Sequence, residues 1–288
     1  MKRRKAAPSS KLEAKESYKQ KVYHFDDVDH HWITSNFILN GYRICNNYKE
    51  SWISLTYFHN ESMNIWTHLI SGFLFMGSIY NIWMNWEEPT VDKVIFSIYC
   101  VCAIKCFFMS SLFHLHMHQT YSTFLIFSCL DYAGVSIMIM GSSILMTYYV
   151  YYCNYMMQMT WITLAVCSSL VGIVGPYFES FSKNPKLRTT CYIFSAAFCA
   201  LPVIIYTSTH TLPFNHSGIL CFLGMTFCYL GGAAVYLHKI PERYAPGYFD
   251  YLFASHQIWH CCVFMAAVFM YWCALDTMAW REENKCLI

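Results

Sequence analysis

The chain has 288 residues, of which 56% are hydrophobic and 12% charged. A soluble domain carries about 25% charged residues, so much of this chain is expected to meet lipid instead of water. A net charge of +2 gives no electrostatic basis for binding nucleic acid.

The chain starts Met1-Lys2-Arg3-Arg4-Lys5 and continues in polar residues with no apolar core, so the start does not read as a cleavable signal peptide. Residues up to Lys21 are polar and mixed in charge and read as disordered. Residues 1–60 as a whole read as a tail whose end is ordered. Seven apolar runs follow, over 64–84, 94–115, 124–149, 158–178, 188–208, 217–238 and 251–275. Each is near the ~20 residues that a helix needs to cross a bilayer. The connections are short, so consecutive spans are expected to be antiparallel neighbours. Pro176 and Pro202 fall in the fourth and fifth runs, where membrane helices tolerate proline. The sequence thus reads as an all-α membrane protein. A seven-transmembrane helix bundle occupies 61–275, and a short outer or luminal tail covers 276–288.

Orientation follows from the basic residues. Of the 19 Lys and Arg, fifteen fall on the side of the amino terminus and three, Lys93, Arg281 and Lys285, on the other. Lys105 lies within the second span. This asymmetry places the amino terminus in the cytoplasm and the carboxyl terminus outside or in the lumen. The G-protein-coupled receptors run the other way. Most of the 15 Cys, such as Cys100, Cys102, Cys106, Cys199 and Cys228, sit in apolar runs and read as small packing residues. No C-x-x-C pair supports a cysteine zinc knuckle.

Ionisable groups at membrane depth are costly and point to function. His114 lies near the cytoplasmic end of the second span, and Asp131 lies early in the third. His256 and His260 lie early in the seventh, four apart and so on one helical face. Alternating span directions bring all four to the inner half of the bilayer. Three imidazoles with a carboxylate match a Zn²⁺ site of three protein nitrogens and an open position. Gln257 stands where H-E-x-x-H metalloproteases carry their Glu, so a general base must come from elsewhere, and Asp131 is the candidate. Ser110, one turn before His114, is read either as a hydrogen-bond donor to the site or as a helix-packing residue. His116 and His118 are expected to be solvated in the loop beyond His114. His68 is expected to pack or hydrogen-bond in the bundle, and Lys105 to snorkel or form an ion pair.

The sequence resembles the progestin and adipoQ receptor family from about Gly41 to about Leu275. The motifs run from His59-Asn60-Glu61-Ser62-Met63-Asn64-Ile65-Trp66-Thr67-His68 through Ser110 to His114 and Leu130-Asp131-Tyr132-Ala133-Gly134. They end with Ile240-Pro241-Glu242-Arg243-Tyr244-Ala245-Pro246-Gly247 and Ser255-His256-Gln257-Ile258-Trp259-His260. The resemblance implies a seven-helix bundle with buried zinc held by His114, His256 and His260. Asp131 and Ser110 match further polar site residues. The relatedness of that family to alkaline ceramidases implies zinc-dependent hydrolysis of a ceramide-like lipid amide, with release of a free fatty acid. Tyr251-Leu252 and Tyr152-Cys153-Asn154 look like the Golgi branch that tethers Raf kinase, as does the short tail. Phe249-Asp250 and Ala233-Ala234-Val235-Tyr236 are nearer the adiponectin receptors. Golgi or plasma membrane is therefore the expected location. The competing reading is a non-catalytic receptor or Golgi scaffold with structural zinc, whose tail binds a cytosolic signalling protein. Ion transport fits poorly, because no acid continues the polar residues toward the outer half.

Overall fold

A computed structural model describes residues 22–210 and 212–286. The expectation of disorder up to Lys21 lies outside them. The described residues fold mostly as helices: α1 (Tyr48–Ser54), α2 (Ser62–Asn85), α3 (Thr90–His116), α4 (Tyr121–Val150), α5 (Tyr155–Val174), α6 (Glu179–Ser182), α7 (Pro185–Thr209), α8 (His216–His238) and α9 (Ser255–Glu283). Seven of them are long, and α1 and α6 are short surface pieces.

Local chemistry sets the helix starts. The side chains of Thr120, Asn154 and Asn184 each accept a hydrogen bond from the backbone N–H three residues on, capping α4, α5 and α7. Pro185 occupies the first turn of α7, where its missing N–H costs nothing. Pro202 lies inside α7, as expected of a membrane helix. Pro176 does not lie inside a helix: α5 stops at Val174, and Gly175–Tyr177 form a 3-10 turn. The seventh span also begins later than its hydropathy suggests, at Ser255 instead of 251.

Six of the long helices are long and apolar enough to cross a membrane. The seventh, α2, has 24 residues but carries Ser62, Asn64, His68 and Ser71, all buried. Those polar groups face the interior and lower the apolar content of α2. In α7 and α8 only 11% of the most apolar stretch is buried. Phe194, Phe227 and Leu230 project outward from these helices. An apolar exterior of this extent requires lipid as its solvent.

Helix α3 packs between α2 and α4, and α8 packs along α9, which also touches α2. The ends of α3, α5 and α8 and the starts of α2, α4, α7 and α9 accordingly share one side. One end of the bundle therefore collects residues 22–61, the turn 117–120, and the loops 175–184 and 239–254. The amino-terminal segment covers this end. Arg43 is fully buried there, and its guanidinium donates to the Ser54 hydroxyl and the His114 carbonyl. Asp250 accepts from the backbone N–H groups of Leu39 (2.8 Å) and Asn40 (2.9 Å), tying that segment to the loop before α9. At the opposite end, buried Asp92 accepts from the Tyr149 hydroxyl (2.8 Å) and from Arg281 (3.1 Å). A Cys153–Cys286 disulfide closes that end. These two cysteines are exceptions to the packing role expected of most cysteines here.

Candidate metal centre

Two helices supply the centre. His114 sits in the last turn of α3, and His256 and His260 occupy the first two turns of α9. The three ring centroids stand 4.9, 4.9 and 4.8 Å apart, a nearly equilateral triangle. One nitrogen from each ring lies within 4.8 Å of the others. His114 and His260 are buried, and His256 is partly buried.

In two of the three rings the other nitrogen is already committed. His114 Nδ1 lies 2.8 Å from Glu61 Oε2, and His260 Nδ1 lies 3.0 Å from the Asn64 carbonyl oxygen. A carboxylate and a carbonyl only accept, so both Nδ1 atoms carry the proton. Each Nε2 then bears a lone pair. His114 Nε2 is buried with no hydrogen-bond partner, which is the condition of a ligand atom awaiting a cation. A carboxylate behind one imidazole and a carbonyl behind another is the usual support for metal-binding histidine. The donor set therefore fits a borderline cation such as Zn²⁺.

Glu61 is the residue that sequence reasoning missed. Its place just before α2 suggests a helix-dipole role. Instead it is buried, bonded to His114, and held by the Asn64 side-chain amide at 2.6 Å. Burial opposes its charge, but the hydrogen bonds from His114 and Asn64 outweigh burial and keep its carboxyl below the usual range. The signal was Glu61, Asn64 and His68 at three- and four-residue spacing on the opening turns of α2. His68 is buried, and its ring stacks on His260 at 3.7 Å with a 4° interplanar angle.

Asp131 does not join the three imidazoles within 4.8 Å. It lies on α4, half-buried, with Ser110 beside it. Ser110 is buried one turn deeper along α3 than His114. Asp131 and Ser110 thus form a polar pair beside the triangle, on its membrane-interior side.

His116 and His118 are not solvated. Both are buried, because the amino-terminal segment folds over them. Tyr48 and Trp52 flank His116, and Trp32 and Tyr42 flank His118. Burial holds the His118 imidazole neutral, lowering its pKa to about 3. Neither belongs to the metal-ready group.

A small cavity of about 20 Å³ abuts the centre, lined by Asn60, Glu61, Asn64, Lys239, Glu242 and His256 among others. That is room for one water. Glu242 fixes its far wall, accepting from the Ser255 backbone N–H at 2.8 Å and from its hydroxyl. This caps the start of α9 and so positions His256.

A profile described as haemolysin-III related matches residues 56–271. The chain is 32% identical over 263 residues to progestin and adipoQ receptor-like protein 1 of Caenorhabditis elegans, covering 88% of this chain and 60% of that protein. It is 29% identical to the adiponectin receptor protein of Drosophila melanogaster, covering 90% of this chain and 60% of that one. With progestin and adipoQ receptor family member 3 of Homo sapiens it shares 28% identity over 92% of this chain and 89% of that protein. The chain spans about 60% of the length of the Caenorhabditis and Drosophila relatives.

Proposed function

Because the chain belongs to the haemolysin-III-related family of progestin and adipoQ receptors, we propose that it is a multi-pass, receptor-like membrane protein that binds Zn²⁺ and hydrolyses a ceramide-like lipid amide. The observation that carries this reading is the triangle of His114, His256 and His260, with two Nδ1 atoms anchored and an unpartnered Nε2 turned inward. Three nitrogens leave a coordination position open, as catalytic sites do. Zn²⁺ bound there would polarise the scissile carbonyl and acidify nearby water.

The protein's own groups divide the remaining work. Asp131 accepts a proton from the attacking water and returns it to the leaving nitrogen. The C–N bond breaks, water supplies the new C–O bond, and a fatty acid and an amine leave. Ser110 offers its hydroxyl to the substrate carbonyl. Glu61 and the Asn64 carbonyl hold the imidazoles. A Golgi or plasma-membrane residence goes with this reading.

One observation favours a second reading. The cavity at the centre has room for one water and not for an acyl chain. A receptor or scaffold with structural zinc, whose residues 1–60 dock a cytosolic signalling protein, needs no more room than that. Ceramide turnover by purified protein separates the two. The hydrolase reading expects about one zinc per chain, lost in a His256→Ala, His260→Ala double variant. Asp131→Asn should keep the zinc and lower turnover by about 10²–10⁴-fold. No turnover by zinc-loaded parent protein across several acyl lengths would leave the scaffold reading.

A further inference from the structure

The middle of α3 carries a lysine that the metal centre does not use. Lys105 is exposed, and it is the one Lys, Arg, Asp or Glu that is both exposed and mid-helix among the described membrane-crossing helices. No carboxylate lies within 4.0 Å of it, and it makes no hydrogen bond, among the described residues. Val94, Ile98 and Val101 lie on the same face at three- and four-residue spacing, all exposed. The opposite face of α3 packs against α2 and α4. The result is an apolar stripe facing lipid with one cation in its middle.

Depth decides what can cover that cation. Lys105 is twelve residues from Lys93 and eleven from His116, about 18 and 16 Å along the helix. A lysine side chain reaches about 6 Å from its Cα, so snorkelling falls well short of either surface. A lipid phosphate at the interface is out of reach for the same reason. A second copy of this chain docked through the same stripe by two-fold symmetry would set Lys105 against Lys105. Among the described residues the aspartates within these spans are engaged: Asp131 is half-buried beside Ser110, Asp92 accepts from Tyr149 and Arg281 near one helix end, and Asp276 accepts from Asn215 and Ser217. Charged side chains at this depth pair with a partner of opposite sign.

We infer that the Val94–Ile98–Val101–Lys105 face of α3 docks another protein's transmembrane helix, one that carries a carboxylate at mid-membrane depth. The β-branched side chains of the stripe offer a stiff apolar surface for packing, and the ion pair fixes depth and register. This surface is separate from the metal centre and does not depend on its chemistry.

The test uses donor-labelled full-length protein in phosphatidylcholine vesicles. Its probe is an acceptor-labelled, leucine-rich membrane-spanning peptide with a single central Glu, compared with the same peptide carrying Leu there. Saturable energy transfer should be about tenfold tighter for the Glu peptide, the scale of one polar contact between membrane helices. Lys105→Leu should abolish that preference. Lys105→Glu should transfer it to a peptide with a central Lys, which keeps the test decisive if the leucine variant folds poorly. Equal transfer for the Glu and Leu peptides would overturn the inference. So would loss of the preference on adding phosphatidylglycerol, which would make lipid the occupant. Lys105-dependent transfer between two labelled copies of the protein would overturn it in favour of self-association.

Discussion

The centre is set at the scale of single residues by which imidazole nitrogen is free. Glu61 and the Asn64 carbonyl each occupy an Nδ1 and so direct an Nε2 toward the metal position. Glu61 also adds negative charge that favours a bound cation. Glu61→Gln keeps the size and one acceptor oxygen but removes that charge. Metal affinity should fall by about 10–100-fold, the usual effect of losing a carboxylate behind a metal-binding histidine. Competition with a chelator reads this directly, and unchanged affinity would remove Glu61 from the centre. The three histidines were legible in the sequence, because two of them share a helical face and span direction fixes the depth of the third. Glu61 was not, since an acid before a helix has an ordinary explanation in the helix dipole. His116 and His118 were misread because hydropathy ends the second span near 115 and says nothing of a segment folding back over it.

The metal position depends on how closely α8 and α9 approach, which is a matter of whole elements. A Cβ on Gly232 of α8 would come within 2.6 Å of Cys262 Cβ and 3.0 Å of the Trp259 ring, both on α9. Neither is the free end of a flexible chain, so the helices must separate. Gly232→Ala is therefore expected to destabilise by about 1–3 kcal/mol, as overpacking does. Because Trp259 adjoins His260, bound metal should also weaken. Gly77 on α2 is the control: a Cβ there meets nothing within 4 Å. Gly77→Ala should raise stability by roughly 0.5–1 kcal/mol, since alanine favours the helix. Thermal unfolding of the two purified variants should move in opposite directions. A stable Gly232→Ala protein with undiminished metal would mean that this contact does not position α9. The elements themselves were legible, because long apolar runs leave little choice of structure. Their ends were less so: Pro176 falls in a 3-10 turn because the chain must turn from α5 toward α7 there.

Orientation belongs to the molecule as a whole, and two independent features bear on it. Basic residues concentrate on the amino-terminal side. The Cys153–Cys286 disulfide lies at the other end, where α4 gives way to α5 and α9 ends. Disulfides persist on the outer or luminal side of a membrane and are rare on the cytosolic side. Seven crossings put residues before α2 opposite Cys286, so both features favour a cytoplasmic amino terminus and a metal centre near the cytoplasmic face. Asn215-His216-Ser217, a glycosylation acceptor with Asn215 exposed, lies at the disulfide end. Asn60-Glu61-Ser62 has the same pattern, but Asn60 is buried at the metal end. Sealed microsomes, whose outer surface is cytosolic, give the check. Cys153→Ser frees Cys286, and a membrane-impermeant maleimide should gain one site over the parent protein only after detergent is added. An amino-terminal epitope should bind antibody without detergent. Labelling of the freed Cys286 in sealed vesicles, or an epitope protected in them, would reverse the orientation and move the metal centre to the luminal half of the membrane.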